Sequence, residues 1–136
     1  MAGALVDDIL RDLLLSRMVA LTDDETNKLF SGSAPLGSFA TRIGLAYALG
    51  IYGPRTRHDL QILKDIRNAF AHANLAINFD TREVADLCCS FHCLEALKDR
   101  EGRGPQELLS IATKCLIVQL LQKMVNPESP RVEGLD

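Results

Sequence analysis

The sequence predicts an all-α protein, a single-domain bundle of five or six helices with one short extended segment. Three observations carry that expectation. Apolar residues recur every three or four positions through most of the chain, the spacing that places them on one side of a helix. The core they imply is aliphatic, since the 136 residues are 47% apolar but only 5% aromatic, with no Trp. The apolar runs are separated by capping patterns and by clusters of Gly, Pro and Ser. A chain of this length can bury such a core without disulfides or metal.

Leu5, Ile9 and Leu13, joined by Leu10, Leu14 and Met18, mark a first helix from about Ala4 to Ala20. The run Thr22-Asp-Asp-Glu25 is a capping box and opens a short second helix ending near Phe30. "SGSAPLG", residues 31–37, reads as a loop from its Gly, Pro and Ser content. "SFATRIGLAYAL" predicts a third helix that is apolar on most of its circumference, as expected of a helix in the middle of a bundle. "GIYGPR" breaks it, and a long fourth helix is expected from about Thr56 to Ala73. In "NLAINFD" the alternation of Leu75, Ile77 and Phe79 predicts the extended segment, too short to imply a sheet. Asp80 and Glu83 repeat the capping-box pattern and open a fifth helix expected to reach Ala96. "KDREGRGP" is a charged loop, and Pro105 suits the first turn of a last helix through about Val125. The helical domain is thus expected over residues 1–125, with 126–136 as a disordered tail.

The net charge is −3 and the pI about 5.6. Proteins whose main task is gripping a phosphate backbone are usually basic overall or carry a strong basic stripe, so direct DNA reading is disfavoured. The opening "MAGALVDDILRDLLLSRM" is interrupted by Asp7, Asp8, Arg11, Asp12 and Arg17. It lacks the basic start and unbroken apolar run of a signal peptide, and no later run reads as a membrane span. The expected location is the cytoplasm, where Cys88, Cys89, Cys93 and Cys115 stay reduced, with no membrane partner.

The least generic stretch is "LKDIRNAFAHANLAINFD", Leu63 to Asp80. On a helix of 100° per residue, Ile62, Leu63, Ile66, Ala69, Phe70 and Ala73 share one face. Arg67 lies on one border of it, and Asp65 and His72 lie on the other. Arg67 and His72 are therefore about 140° apart, whereas Asn68 and His72 are neighbours. Two readings follow. In the first, Arg67 pairs with a carboxylate such as Asp65 or Asp86 and His72 caps the helix end. In the second, His72 moves protons, Arg67 stabilises phosphate charge and Asn68 orients a substrate, a set able to cleave RNA without metal. Arg42, on the border of the face made by Phe39, Ile43 and Ala46, is a further candidate for a buried pair with Asp65 or Asp59.

The motifs "PLGSF", "RIGLAYALG", "HDL", "IRNAFAH", "INFD" and "DLC", spread over roughly Pro35 to Cys88, resemble the core of the mannitol operon repressor family of bacteria. The resemblance implies a multi-helical cytoplasmic regulator. "RNAFAH" also fits the Arg-x4-His pattern of HEPN domains, helical bundles that often dimerise and include metal-independent ribonucleases. Helix, Gly-containing turn and helix in "LAYALGIYGPRTRHDLQILKDIRNAF" superficially suit a helix-turn-helix. The second helix, however, is long, buries a wide apolar face and offers only Arg55, Arg57 and His58 in its first turns.

"CCSFHC" sets Cys88, Cys89, His92 and Cys93 within six residues. On one helix Cys88 would share a face with His92, and Cys89 with Cys93. A second ligand pair at zinc spacing is missing, so thiols filling a helix interface are the preferred account and no metal or cofactor is expected. Phosphate loops, dinucleotide fingerprints and serine elbows are absent from the sequence.

Two functions of different kind result. The preferred one is a non-enzymatic regulatory homodimer acting through an unidentified protein partner, with Arg42, Asp65, Arg67, Asn68 and His72 as a structural or interface polar network. The alternative is a HEPN-like ribonuclease or RNA-binding module with Arg67, Asn68 and His72 as a composite site at a dimer interface.

Overall fold

The structure is a computed structural model and describes residues 2–71, 78–79 and 81–125. Among the described residues it holds six α-helices, two 3-10 turns and no strand, the all-α bundle that the periodicity predicts. The helices are α1 (Ala2–Ser16), α2 (Asp23–Phe30), α3 (Phe39–Ala48), α4 (Pro54–Ala71), α5 (Arg82–Cys88) and α6 (Pro105–Val125). The most extensive helix pairing joins the first to the last, α1 against α6. Helix α3 packs on α4 and α1, while α5 and the 3-10 turn His92–Leu94 close the gap between α4 and α6. One aliphatic core results, centred on Val6, Leu10, Leu13 and Leu14 of α1, Leu60, Leu63 and Ile66 of α4, and Leu108, Leu116 and Leu120 of α6.

Local chemistry explains the helix starts. Thr22 Oγ1 accepts the Glu25 N–H at 3.2 Å and Glu25 Oε1 accepts the Thr22 N–H at 3.0 Å, the expected capping box. Ser38 Oγ accepts the Thr41 N–H at 3.2 Å and starts α3. Pro54 and Pro105 occupy the first positions of α4 and α6, where a missing N–H costs nothing. The loop over residues 31–37 folds back on itself, with Leu36 N–H donating to the Leu29 carbonyl at 2.7 Å and Gly37 N–H to Ala34 at 2.9 Å. Gly37 is obligatory, since a Cβ there would lie 2.2 Å from the Gly32 carbonyl oxygen.

Several expectations are corrected. Helix α1 stops at Ser16, not Ala20, because the Arg17 and Met18 N–H groups turn back to the Leu14 and Leu15 carbonyls in a tighter, three-residue pattern. Helix α3 does not sit in the middle of the bundle. Phe39, Arg42, Ile43 and Ala46 are buried, but Ala40, Thr41, Gly44 and Ala48 face solvent, small residues that cost little to expose. The fifth helix ends at Cys88 rather than Ala96. There the Ser90 hydroxyl donates to the Asp86 carbonyl at 2.6 Å, and the buried Asp59 carboxylate takes the His92 and Cys93 N–H groups at 2.6 and 2.9 Å. Those bonds start a separate turn, so Cys88 and His92 share no helix face, nor do Cys89 and Cys93.

Helix α6 also corrects the reading that no run could span a membrane. It is long and apolar enough, with a mean hydropathy of 1.5 over an 18-residue window. Its buried side chains at Leu108, Ala112, Leu116 and Leu120 belong to the seam of the bundle, while Val118, Leu121 and Val125 on its other side are exposed. The expected extended segment from Asn74 to Ile77, the end of the fourth helix beyond Ala71, the Asp80–Glu83 cap and the tail from residue 126 lie wholly or partly outside the described residues. Just before α5, the Asn78 and Thr81 side chains each accept the other's backbone N–H at 3.2 Å.

Candidate functional site

Three charged side chains from three helices meet at one point. Asp7 of α1 accepts from Arg42 Nη1 of α3 at 2.8 Å on one carboxylate oxygen, and from Arg67 Nη1 of α4 at 3.1 Å on the other. Arg42 is 7% exposed and also donates from Nε to the Leu36 carbonyl at 2.8 Å and from Nη2 to the Phe30 carbonyl at 2.9 Å. A buried guanidinium is tolerable only when its donors are met, and every nitrogen of this one has an acceptor. Arg42 thereby ties the end of α2 and the loop after it to α1. Arg67 is half-buried, its guanidinium carbon 5.6 Å from the centre of the Phe39 ring.

The expected network is thus only partly assembled. Arg42 and Arg67 come together, but on Asp7, and not on Asp65, Asp59 or Asp86. Asp65 is exposed and pairs with Lys64 at 3.4 Å, while Asn68 is exposed beside Arg67. His72 lies outside the described residues. A cleft of about 220 Å³ opens next to the clasp, lined by Asp7, Gly37, Ser38, Lys64, Arg67 and Asn68.

Asp7 was missed by reading the acidic residues of α1 as mere interruptions. Its helical register held the signal: it lies within about 20° of Leu14 around the axis, on the buried side, whereas Asp8 and Asp12 do not. Asp59 carries the same mark, within about 20° of Ile66.

A second polar group surrounds Asp59. Arg55 pairs with Glu95 at 2.5 Å, and His92 Nδ1 lies 2.8 Å from the other Glu95 oxygen. These bonds, His92 first and Arg55 second, draw the Glu95 carboxyl down to about 2. The His58 ring sits 4.3 Å from that of His92, with Nε2 3.2 Å from the Ser90 carbonyl oxygen, and Arg57 stacks 3.8 Å over Tyr47. All three groups a recognition helix would present at the start of α4 are therefore engaged within the fold. Cys88 is buried, which pushes its thiol up to about 11, while Cys89 is exposed. No group of three or more metal-ligating side chains is found among the described residues.

These features define an all-α bundle pinned by one carboxylate between two guanidiniums, with an open basic cleft at its side. Among solved structures, the chain is similar to one in the X-ray structure of the MtlR–HPr complex from Escherichia coli. The TM-score is 0.59 at 20% identity, over 91% of this chain and 84% of that one. At that identity the likeness establishes the fold alone. No protein-family model matches the chain, and no curated protein does.

Proposed function

We propose that this chain is a non-enzymatic cytoplasmic regulator of the mannitol operon repressor type, acting through contacts with another protein. The observation that carries the reading is the likeness over nearly the whole chain to a structure in which MtlR is held in complex with HPr. The motifs between Pro35 and Cys88 point the same way. Engagement of Arg55, Arg57 and His58 within the fold supports protein contact over direct DNA reading. In this reading Arg42 and Arg67 clasp the bundle through Asp7, with Asn68 and Asp65 at its margin, and His72 belongs to the same polar network. A homodimer is part of the proposal, supported by the exposed Val118, Leu121 and Val125, which with Ile111 follow a heptad-like stripe along α6. Light scattering after size exclusion tests it: a mass of two chains is expected, and Val118→Glu should halve it.

The decisive experiment is calorimetric titration with HPr. Saturable binding is expected, and heats no greater than dilution would overturn the reading. The ribonuclease alternative draws on one observation, the half-exposed Arg67 beside Asn68 at an open cleft. Cleavage of single-stranded RNA in chelator, lost in a folded His72→Ala variant, would establish it in place of the regulator.

A further inference from the structure

The cleft beside the clasp has a charge imbalance that the fold itself does not use. Among the residues that line it, two cations, Arg67 and Lys64, face one carboxylate, Asp7, which Arg42 already neutralises from the buried side, in a chain whose net charge is −3. Arg42 spends all three of its nitrogens on protein acceptors. Arg67 spends a single N–H on Asp7 and turns a side chain 36% exposed toward the cleft, its other donors without a protein acceptor among the described residues. Lys64 lies one turn earlier on α4, and Asn68 follows directly. The three span an arc of about 100° of the helix, with Lys64 between the other two, and all three line the cleft. The sole partner of Lys64 among the described residues is Asp65, at 3.4 Å, a carboxylate half in water and therefore weakly held.

The opposite wall is the loop that Gly37 closes and the first turn of α3. There Ser38 caps the Thr41 N–H, leaving the Phe39 and Ala40 N–H groups with no protein acceptor among the described residues. The cleft therefore sets a guanidinium, an ammonium and an amide on one side against two backbone donors on the other.

We propose that this cleft binds a small phosphate monoester, with Arg67 and Lys64 taking its charge and Asn68 orienting it. Size and charge select that class. About 220 Å³ holds a phosphoryl group with several further heavy atoms, but not a strand of nucleic acid. A monoester offers three terminal oxygens and close to two charges at neutral pH, matching the two cations and the donors of both walls. A diester offers two such oxygens and one charge. The ligand would join α3 to α4 at the point where the clasp already joins them to α1. Its binding is thus a means of regulation that goes beyond the protein contacts proposed above.

The test is an amide-resolved NMR titration at pH 8 and constant ionic strength, with inorganic phosphate, phenyl phosphate and dimethyl phosphate as probes and chloride as the control. Phosphate and phenyl phosphate are expected to move the Phe39 and Ala40 amide signals along a saturable curve. Dimethyl phosphate should bind about tenfold more weakly. Lys64→Met keeps the aliphatic stem, and it should weaken phosphate about tenfold while leaving the ligand-free melting temperature in place. Asn68→Ala, an exposed position, provides a second variant with the same expected direction. The proposal falls if those two amides do not titrate. Equal affinity for the diester would reassign the cleft to nucleic-acid backbone, and unchanged affinity in Lys64→Met would remove the cleft as the site.

Discussion

Replacing Asp7 by Ala removes the one group that both clasp arginines share. Arg42 would keep its bonds to Leu36 and Phe30, but its guanidinium would stay 7% exposed with no counter-charge. Breaking a buried pair from one side costs about 3–5 kcal/mol. The Asp7 side chain is 14% exposed, so water reaches part of the vacated space, and the low end, about 3 kcal/mol, applies. A domain of this size unfolds with an entropy near 0.25 kcal/mol/K, which converts that loss to a fall of about 12 °C in melting temperature. Arg67→Ala is a different perturbation, because the Asp7–Arg42 pair survives it and Arg67 is 36% exposed. It should cost about 1 kcal/mol, or some 4 °C. Calorimetric or circular-dichroism melts of both variants decide the matter, with Asp7→Ala repeated on an Arg42→Met background, where its cost should largely vanish. The reasoning is refuted if Asp7→Ala melts within about 2 °C of the parent, or if Arg67→Ala proves the more damaging of the two.

Gly37→Ala should prevent stable folding or lower the melting temperature sharply, since the added methyl would meet the Gly32 carbonyl at 2.2 Å; Gly44→Ala, with open space at its Cβ, is the matched control. The folded-state carboxyl of Glu95 lies below its ordinary value near 4.5, at about 2. Its contribution to stability is therefore complete above pH 4.5 and lost as pH falls toward 2, and Glu95→Gln should flatten that part of a melting-temperature profile. With a thiol reagent such as DTNB at pH 8, Cys89 should account for the fast phase and Cys88 should react only on unfolding, so Cys89→Ser removes the fast phase. Elemental analysis of protein purified without chelator should find well under one zinc per chain, and stoichiometric zinc lost on replacing His92 would contradict the split of "CCSFHC" between two elements.

Helix starts were legible because their determinants are local. Thr22 with Glu25, Ser38 and Pro105 each act within one turn and sit where the pattern placed them, whereas Pro54, read as part of the break, opens α4 two residues before the expected Thr56. Helix ends were harder. The end of α5 depends on Asp59, which lies on another helix and withdraws the N–H groups of His92 and Cys93, and no window around "DLCCSFHC" contains that information. The same distinction divides the site. Arg42 and Arg67 were visible as charges at the edge of apolar faces, but their common partner is 35 residues from one and 60 from the other. Periodicity says that a group is turned inward, and only the packing of α1 on α3 and α4 says what it meets.

The pairing of α1 with α6 has a consequence for the order in which the chain is made. The apolar face of α1, with Val6, Leu10, Leu13 and Leu14, leaves the ribosome roughly a hundred residues before its main partner. At about 5–20 residues per second, that face waits on the order of 5–20 s for α6 to emerge. During that time α3 and α4 can dock through Asp7, Arg42 and Arg67, so the clasp would hold the earliest helix against the middle of the chain while its last neighbour is still being synthesised. On that view the charge cluster shields a nascent hydrophobic surface before it stabilises a finished one. Pulse proteolysis of stalled chains ending at residue 104 should find α1 protected in the parent and cut rapidly in Asp7→Ala.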